Sequence, residues 1–347
     1  MTQRAGQPLI SVVIPNHNGA AHLETCLSSL LRCTYPRFEL VFVDNASTDA
    51  SMEIVARVAP EAVHLRADRN LGFAGGVNLG IQSSHGDWIA VLNNDTEVAP
   101  DWLEECVRAM ERHPEADFLA CRILDFVDRN RIFSAGDCFL RAGIGYRRGQ
   151  ELEDRPDYRE ETEIFAACGC AALYRKSVLG EIGGFDGRFF AYLEDVDLAL
   201  RLQAAGHRGW YVPNAVVYHL GAATSGGEFS SLAVRLRTRN SILLLSKSLP
   251  ARVLWRSCLR IAAAQVSWLV RTCAHGKGWS YLRGFAGSIP LLAAMMKDRR
   301  RLRAQWHTSG DSLWRAILRS EAMARKDFMP PVPEGASTFL KWYFRLE

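Results

Sequence analysis

The chain opens with three short apolar runs that each stop at an amide or an acid: SVVIPNHNG from Ser11, LVFVDNASTD from Leu40 and WIAVLNNDTEV from Trp88. A continuous apolar run bounded by turn residues predicts a strand buried on both faces, as in a parallel sheet. Parallel strands of one sheet bring their carboxyl ends to one rim, and open α/β sheets bind ligands in the crevice beyond it. Asn16, Asp44, Asn93 and Asp95 are therefore expected to converge on one pocket, although the chain holds them far apart.

The segments between the runs carry a different period. Leu23, Cys26, Leu27, Leu30 and Leu31 form one face of an amphipathic helix. Ser47, Thr48 and Asp49 are placed to cap a helix carrying Met52, Ile54, Val55 and Val58. Residues 63–65 read as a short strand, the glycine-rich RNLGFAGGVNLGI turns helical over 77–81, a helix covers 101–113, and 118–121 suggests another strand. This alternation predicts a doubly wound α/β beginning. Residues 122–162 are polar with weak periodicity and read as an insertion or acceptor-facing excursion. Structure is expected to resume over 164–174, with a helix from about Glu194 and a strand over 210–218 that ends at His219. Beyond Leu232 the pattern becomes long helices with Arg on one side and Leu, Trp and Val on the other. The chain thus divides into an α/β domain, 1–234, and a basic helical region, 235–347.

Charge sharpens that division. The formal net charge is only +4. Yet residues 1–234 hold roughly 21 Lys/Arg against 32 Asp/Glu, whereas 235–303 hold about 15 against one acid, Asp298. Such a back end suits an anionic surface. Nine scattered cysteines without a CxxC pair point to reduced thiols and a cytosolic setting. The start, MTQRAGQPLI, lacks a signal-peptide core, and no apolar run reaches the ~18 residues of a spanning helix. The expected location is cytoplasmic.

Four clusters carry candidate chemistry. Asp44 ends a strand where a carboxylate could accept the ring N–H of uracil or thymine, or simply cap the following turn. Residues 69–78 could place backbone N–H groups against a phosphate, or form a plain turn. Asn93, Asn94 and Asp95 form either a solvated turn or part of a site for a hard divalent cation bridging to phosphate. Glu194, Asp195 and Asp197 crowd a helix start. They either favour its dipole, or stand partly desolvated beside Phe189, Phe190 and Tyr192, which suits proton abstraction. His219, at a strand end, could complete a metal site on Asp95.

Taken in order, VVIPNHNG, VDNASTD, NLGFAGGVNLGI, LNNDTEV, GGFDGRFFAYLEDVDLALRL and VVYHLGAATSG resemble family 2 of the glycosyltransferases, inverting enzymes of the GT-A fold. The chain is similar to the bacterial rhamnosyl- or galactofuranosyltransferase-like branch, and RNSILLLSKSLP from Arg239 resembles the segment that follows the domain there. The resemblance implies a Rossmann-like mixed sheet flanked by helices, with an amphipathic helical region behind it. It implies that Pro15, Asn16 and Asp44 line the base and ribose, with Asn70, Gly72, Asn78 and Asn94 near the nucleotide. Asp95 matches the last acid of the DxD metal motif and His219 a metal-binding histidine. Asn93 replaces the first acid, and its amide oxygen coordinates more weakly. Asp195 matches the catalytic base, with Glu194 beside it and Asp197 behind.

The implied reaction is a single in-line displacement with Mg²⁺ or Mn²⁺ as cofactor. A nucleotide-diphosphate sugar, dTDP-rhamnose or a UDP-sugar, would donate to a hydroxyl of a cell-envelope glycan or lipid-linked acceptor. A non-catalytic nucleotide-sugar scaffold and a sugar nucleotidyltransferase are the rival readings. In the tail, Arg252, Arg256 and Arg260 recur every four residues beside Leu254, Leu259, Ile261, Trp268 and Leu269, with a basic cluster at Lys297, Arg299, Arg300, Arg301 and Arg303. This predicts peripheral attachment to the anionic inner face of the plasma membrane. Packing on the catalytic core and an oligomer contact are the alternatives. No nucleic-acid recognition motif accompanies the charge.

Overall fold

The computed structural model describes residues 7–221, 226–305, 310–329 and 338–345. The initial MTQRAG and part of the VVYHLGAATSG block lie outside the described residues. The first half alternates as expected: β1 (Ile10–Asn16), α1 (Ala20–Leu31), β2 (Phe38–Asp44), α2 (Ser51–Val58), β3 (Val63–Arg66), α3 (Gly72–Gln82) and β4 (Trp88–Leu92). Next come β5 (Thr96–Val98), α4 (Trp102–Arg112), β6 (Phe118–Asp125), β7 (Ile132–Ser134), β8 (Asp137–Leu140) and β9 (Ile144–Arg147). Then follow β10 (Thr162–Ile164), β11 (Ala171–Arg175), α5 (Lys176–Ile182), α6 (Glu194–Ala205) and β12 (Gly209–His219). Five helices close the chain: α7 (Ser231–Lys247), α8 (Ala251–Ala274), α9 (Gly278–Gln305), α10 (Gly310–Arg325) and α11 (Thr338–Arg345).

The main sheet runs β10-β12-β6-β11-β4-β1-β2-β3, with β5 on β12 and β7 on β6. Strands β3, β2, β1 and β4 are parallel, whereas β11 lies antiparallel between β4 and β6. The three apolar runs therefore do end on one rim, where Asn16 pairs with Asp44 and Leu92 with Ala171. Further along it, His219 pairs with Asp125 of β6 and with Thr96 of β5. One face of the sheet buries Phe42, Leu23, Trp102 and Leu103 beneath α1, α2 and α4. The other buries Val41, Val77, Tyr174 and Leu198 beneath α3, α5 and α6. Covering both faces explains why the strands read as unbroken apolar runs.

Residues 122–162 are not an irregular excursion. They complete β6 and supply β7, β8 and β9, the last two forming a separate hairpin. Strands of three or four residues are too short to show an alternation. This hairpin also rests on a partner distant in sequence, since Phe139 N–H donates to Ser320 Oγ of α10 at 2.8 Å and the Arg141 guanidinium meets Glu321. The 234/235 boundary falls inside α7, whose Leu243 and Leu244 share a core with Leu200 of α6 and Ile317 of α10. Among the described residues no helix is long and apolar enough to cross a membrane.

Candidate active site

The end of β1 and the turn after β2 are tied together by side chains. Asn16 Nδ2 donates to Ser47 Oγ at 3.1 Å, and Asn16 Oδ1 accepts from Asn94 Nδ2 at 2.5 Å. Pro15, one position earlier, is buried beside Gly76 of α3. Asp44 is fully buried, and its Oδ1 accepts the Ser47 N–H at 3.1 Å, so it does hold its turn. Its Oδ2 has no hydrogen-bond partner, with Arg66 Nε at 3.5 Å. A buried carboxylate oxygen with an unspent lone pair is costly unless a donor arrives, and a pyrimidine ring N–H is such a donor. Ser47, Thr48 and Asp49 do not form the cap read from the sequence. Helix α2 starts later, and of the three only Asp49 reaches it, accepting from Ser51 N–H at 3.1 Å.

The glycine-rich segment is helical from Gly72, earlier than its sequence suggests. Gly72 sits at φ +72°, where a Cβ would lie 2.4 Å from the Phe190 carbonyl oxygen, so only glycine fits. Asn70 Oδ1 accepts the Gly72 N–H at 2.8 Å, and Asn45 Nδ2 donates to the Gly72 carbonyl at 3.1 Å. Asn78 binds backbone with both its polar atoms. It donates to the Phe185 carbonyl at 2.6 Å and accepts the Phe185 N–H at 3.0 Å, clamping α3 to the loop before α6.

Next along the rim, His219 Nε2 lies 3.1 Å from Asp95 Oδ1 and 3.3 Å from Asn93 Nδ2. Asp95 and His219 are both buried, and His219 Nδ1 has no hydrogen-bond partner. Burial pushes the Asp95 carboxyl up, but the imidazole contact prevails and holds it below its ordinary range. Turning the Asn93 amide over would present its oxygen to the same point. One carboxylate, one amide oxygen and one imidazole nitrogen fit a Mg²⁺- or Mn²⁺-class ion. The Phe133 ring stands edge-on to His219 at 4.4 Å, and the Arg147 guanidinium lies over that ring at 4.3 Å.

Asp195 opens α6 after a strained turn in which Phe190, Tyr192 and Leu193 all have φ between 66° and 69°. Three bulky residues in this region are held only by strong external contacts. Asn240 of α7 supplies them, donating to the carbonyls of Phe189, Ala191 and Tyr192 at 2.9, 2.9 and 2.7 Å. The Asp195 carboxylate accepts Gly169 N–H at 3.1 Å and Val196 N–H at 2.8 Å. Burial raises the Asp195 pKa while Arg147 opposes it. Burial and the Asp195 charge also raise Glu194, whose Oε2 has no partner. Asp197 is structural: it binds Arg201 Nε at 2.9 Å, Lys247 Nζ at 2.8 Å and Ser248 Oγ at 2.6 Å.

The segment 168–170 joins the two poles. Gly169 N–H donates to Asp195, and the Cys170 carbonyl accepts Asn93 N–H at 2.9 Å. Ligand atoms of Asp137, Cys168 and Asp195 all lie within 4.8 Å of one another. Burial and the Asp195 charge push Asp137 up to about 7. A thiol and a carboxyl that holds its proton to neutral pH suit a hard divalent ion less well than the Asn93–Asp95–His219 set. Asp137, Arg147 and Cys168 carry no motif spacing, so sequence reading passes over them, with the CGC triplet as the visible signal for Cys168. Asn240 lies in the RNSILLLSKSLP segment, but its hold on the turn before Asp195 shows only in the fold.

Comparison with known proteins agrees with this geometry. The family model "Glycosyl transferase family 2" matches residues 11–183. The chain is 31% identical over 245 residues to the N-acetylglucosaminyl-diphospho-decaprenol L-rhamnosyltransferase of Mycobacterium tuberculosis, covering 64% of this chain and 80% of that protein. It is 30% identical over 200 residues to a PGL/p-HBAD biosynthesis glycosyltransferase of Mycobacterium bovis, covering 56% and 69%. A mannosyltransferase from Pyrobaculum calidifontis, solved with GDP-Man and Mn²⁺, superposes with a TM-score of 0.51 at 16% identity, over 90% of this chain and 88% of that one. GalNAc-T7, solved with UDP, GalNAc and Mn²⁺, gives 0.56 at 18% identity over 69% of this chain and 48% of its own. Both are likenesses of fold. A mixed sheet flanked by helices, with the family's motifs gathered along its rim, places this chain in glycosyltransferase family 2, among relatives of the rhamnosyltransferase-like branch.

Proposed function

We propose that the chain is an inverting, metal-dependent transferase. It moves a sugar from a nucleotide diphosphate, dTDP-rhamnose or a UDP-sugar, to a hydroxyl of a cell-envelope glycan or lipid-linked acceptor. The observation that supports this reading is the bridge at 168–170, whose Gly169 N–H bonds Asp195 and whose Cys170 carbonyl bonds the backbone of Asn93. Asp44 Oδ2 would take the base N–H, with Pro15, Asn16, Asn94, Asn70 and Gly72 shaping the nucleotide end. Asp95, His219 and Asn93 would hold a divalent ion, which supplies neutralisation of the departing diphosphate. Asp195, positioned by two backbone N–H groups, would take the acceptor proton as the hydroxyl attacks the anomeric carbon. The acceptor oxygen would enter opposite the departing diphosphate in one displacement, so the configuration would invert without a covalent enzyme intermediate. Glu194, buried beside the base with a free oxygen, would hold Asp195's field rather than touch substrate.

Attachment to an anionic membrane belongs to the same proposal. On α8, Trp255 and Leu259 are 80% and 83% exposed, and Val266 and Val270 continue the same helical stripe. On α9, Trp279, Leu282, Phe285, Ile289 and Met296 are exposed. So large an apolar surface on two packed helices marks an interaction site. The expected arginine ladder works differently, however. Arg252 and Arg256 meet Asp311 of α10 at 3.0 and 3.4 Å, leaving the basic cluster at 297–303 as the charged edge.

The test of the chemistry is Asp195→Asn. It should retain nucleotide-sugar binding by calorimetry while turnover falls at least ~1000-fold, near the contribution of a positioned base. The wild type should release nucleoside diphosphate. Release of pyrophosphate would transfer the chain to the nucleotidyltransferase reading, and retained turnover would remove Asp195 from its role.

A further inference from the structure

Between α8 and α9 runs a groove of about 610 Å³ lined by Leu254, Trp255, Cys258, Met296, Arg299, Arg300 and Arg303 among others. One wall is apolar and the other holds three guanidinium groups within one and a half helical turns. The intervening acid does not neutralise them, because Asp298 is paired with Arg188 of the catalytic domain. Arg300 and Arg303 have no acidic partner among the described residues. Arg299 is buried, bonds only weakly to the Ser246 carbonyl at 3.3 Å, and keeps its Nε without a partner. Burial and the neighbouring Arg303 charge both push the Arg299 guanidinium down.

We propose that this groove seats the headgroup of a membrane lipid whose phosphate leaves it net anionic, with phosphate on Arg299, Arg300 and Arg303 and an acyl or isoprenyl chain along Leu254, Trp255 and Met296. The inference rests on the membrane reading above and narrows it from a surface to a site. Three guanidiniums favour phosphate over a neutral headgroup, since each offers paired N–H donors. The groove opens beside the exposed apolar stripe that includes Trp255 and Leu259, so a lipid could enter without its chain crossing water. A second copy of this chain is disfavoured as occupant, because it would bring the same uncompensated arginines against each other. Acidic protein would meet the charge but leave the apolar wall unfilled.

The experiment uses the full chain and vesicles of phosphatidylcholine alone or mixed with phosphatidic acid. Arg300→Gln/Arg303→Gln should lower partitioning to the mixed vesicles about tenfold or more, whereas Lys297→Gln/Arg301→Gln, outside the groove, should lower it less than about threefold. Arg299→Gln should act likewise; its thermal melt identifies a folding defect, and the exposed pair decides if it has one. Lipid brominated along its chain should quench tryptophan emission, and Trp255→Phe should remove a measurable part of that quenching. Inorganic phosphate at millimolar concentration should not displace the protein from mixed vesicles. Equal losses for the two double variants, quenching indifferent to Trp255, or displacement by free phosphate would each overturn the groove while leaving membrane attachment standing. A dimer in lipid-free buffer that the Arg300/Arg303 variant abolishes would reassign the groove to a second copy. Failure of the wild type to sediment with any vesicle would overturn the membrane reading itself.

Discussion

Asp137 of β8 and Asp195 of α6 place their carboxyl oxygens within 4.8 Å of each other, Asp137 buried and Asp195 partly exposed, with buried Cys168 completing the group. Two carboxyls so close cannot both ionise cheaply, and burial together with the Asp195 charge pushes Asp137 up to about 7. Ser134 Oγ donates to Asp137 at 2.6 Å and opposes the shift without cancelling it.

The folded-state pKa of Asp137, about 7, exceeds its ordinary value of 3.8. Between these values the folded chain holds a proton that the unfolded chain has lost, so this group's contribution to stability falls as pH rises through the window. Asp137→Asn fixes the neutral form and should gain on the wild type with rising pH, by on the order of 1–3 kcal/mol at alkaline pH and little at acid pH. Urea unfolding at both ends of the window measures it. A gap independent of pH would show that Asp137 does not titrate there.

Metal dependence separates the two candidate clusters. Asp95→Ala or His219→Ala should raise the Mn²⁺ concentration for half-maximal activity by roughly 100-fold, whereas Cys168→Ser should leave it within about threefold. Asn93→Asp should lower it, since a second carboxylate coordinates more strongly than an amide. The opposite ranking would move the ion to the Asp137–Cys168–Asp195 group.

Asn240 holds the strained turn from which Asp195 projects. Removing a buried amide that serves three carbonyls should cost about 2–4 kcal/mol in Asn240→Ala. It should also lower kcat more than it raises the donor KM, because the base is displaced while the nucleotide end is untouched. Denaturant melts with paired kinetics read both. A loss of stability with unchanged kcat would make Asn240 a packing residue only.

Most of the rim was legible from sequence. Apolar runs ending at Asn16, Asp44 and Asn93 required buried parallel strands, and the acids at 194–197 required a helix start. The hairpin β8–β9 was not, because its strands are four residues long and its support comes from Ser320 and Glu321, some 180 positions away. Asn78 adds what its motif could not show: both its polar atoms hold the backbone of Phe185, 107 positions away.

By itself, then, the order of residues determined where the buried strands run and which chemical groups stand at their ends, since hydrophobic period and turn chemistry are local properties. The strand order, with β11 between β4 and β6, came only with the fold. Tertiary structure alone decided that burial and Asp195 lift the Asp137 carboxyl, that Asn240 secures the turn before Asp195, and that Asp298 is drawn away from Arg299, Arg300 and Arg303. Each of these depends on burial and on partners many residues distant, and neither quantity exists until the chain has folded.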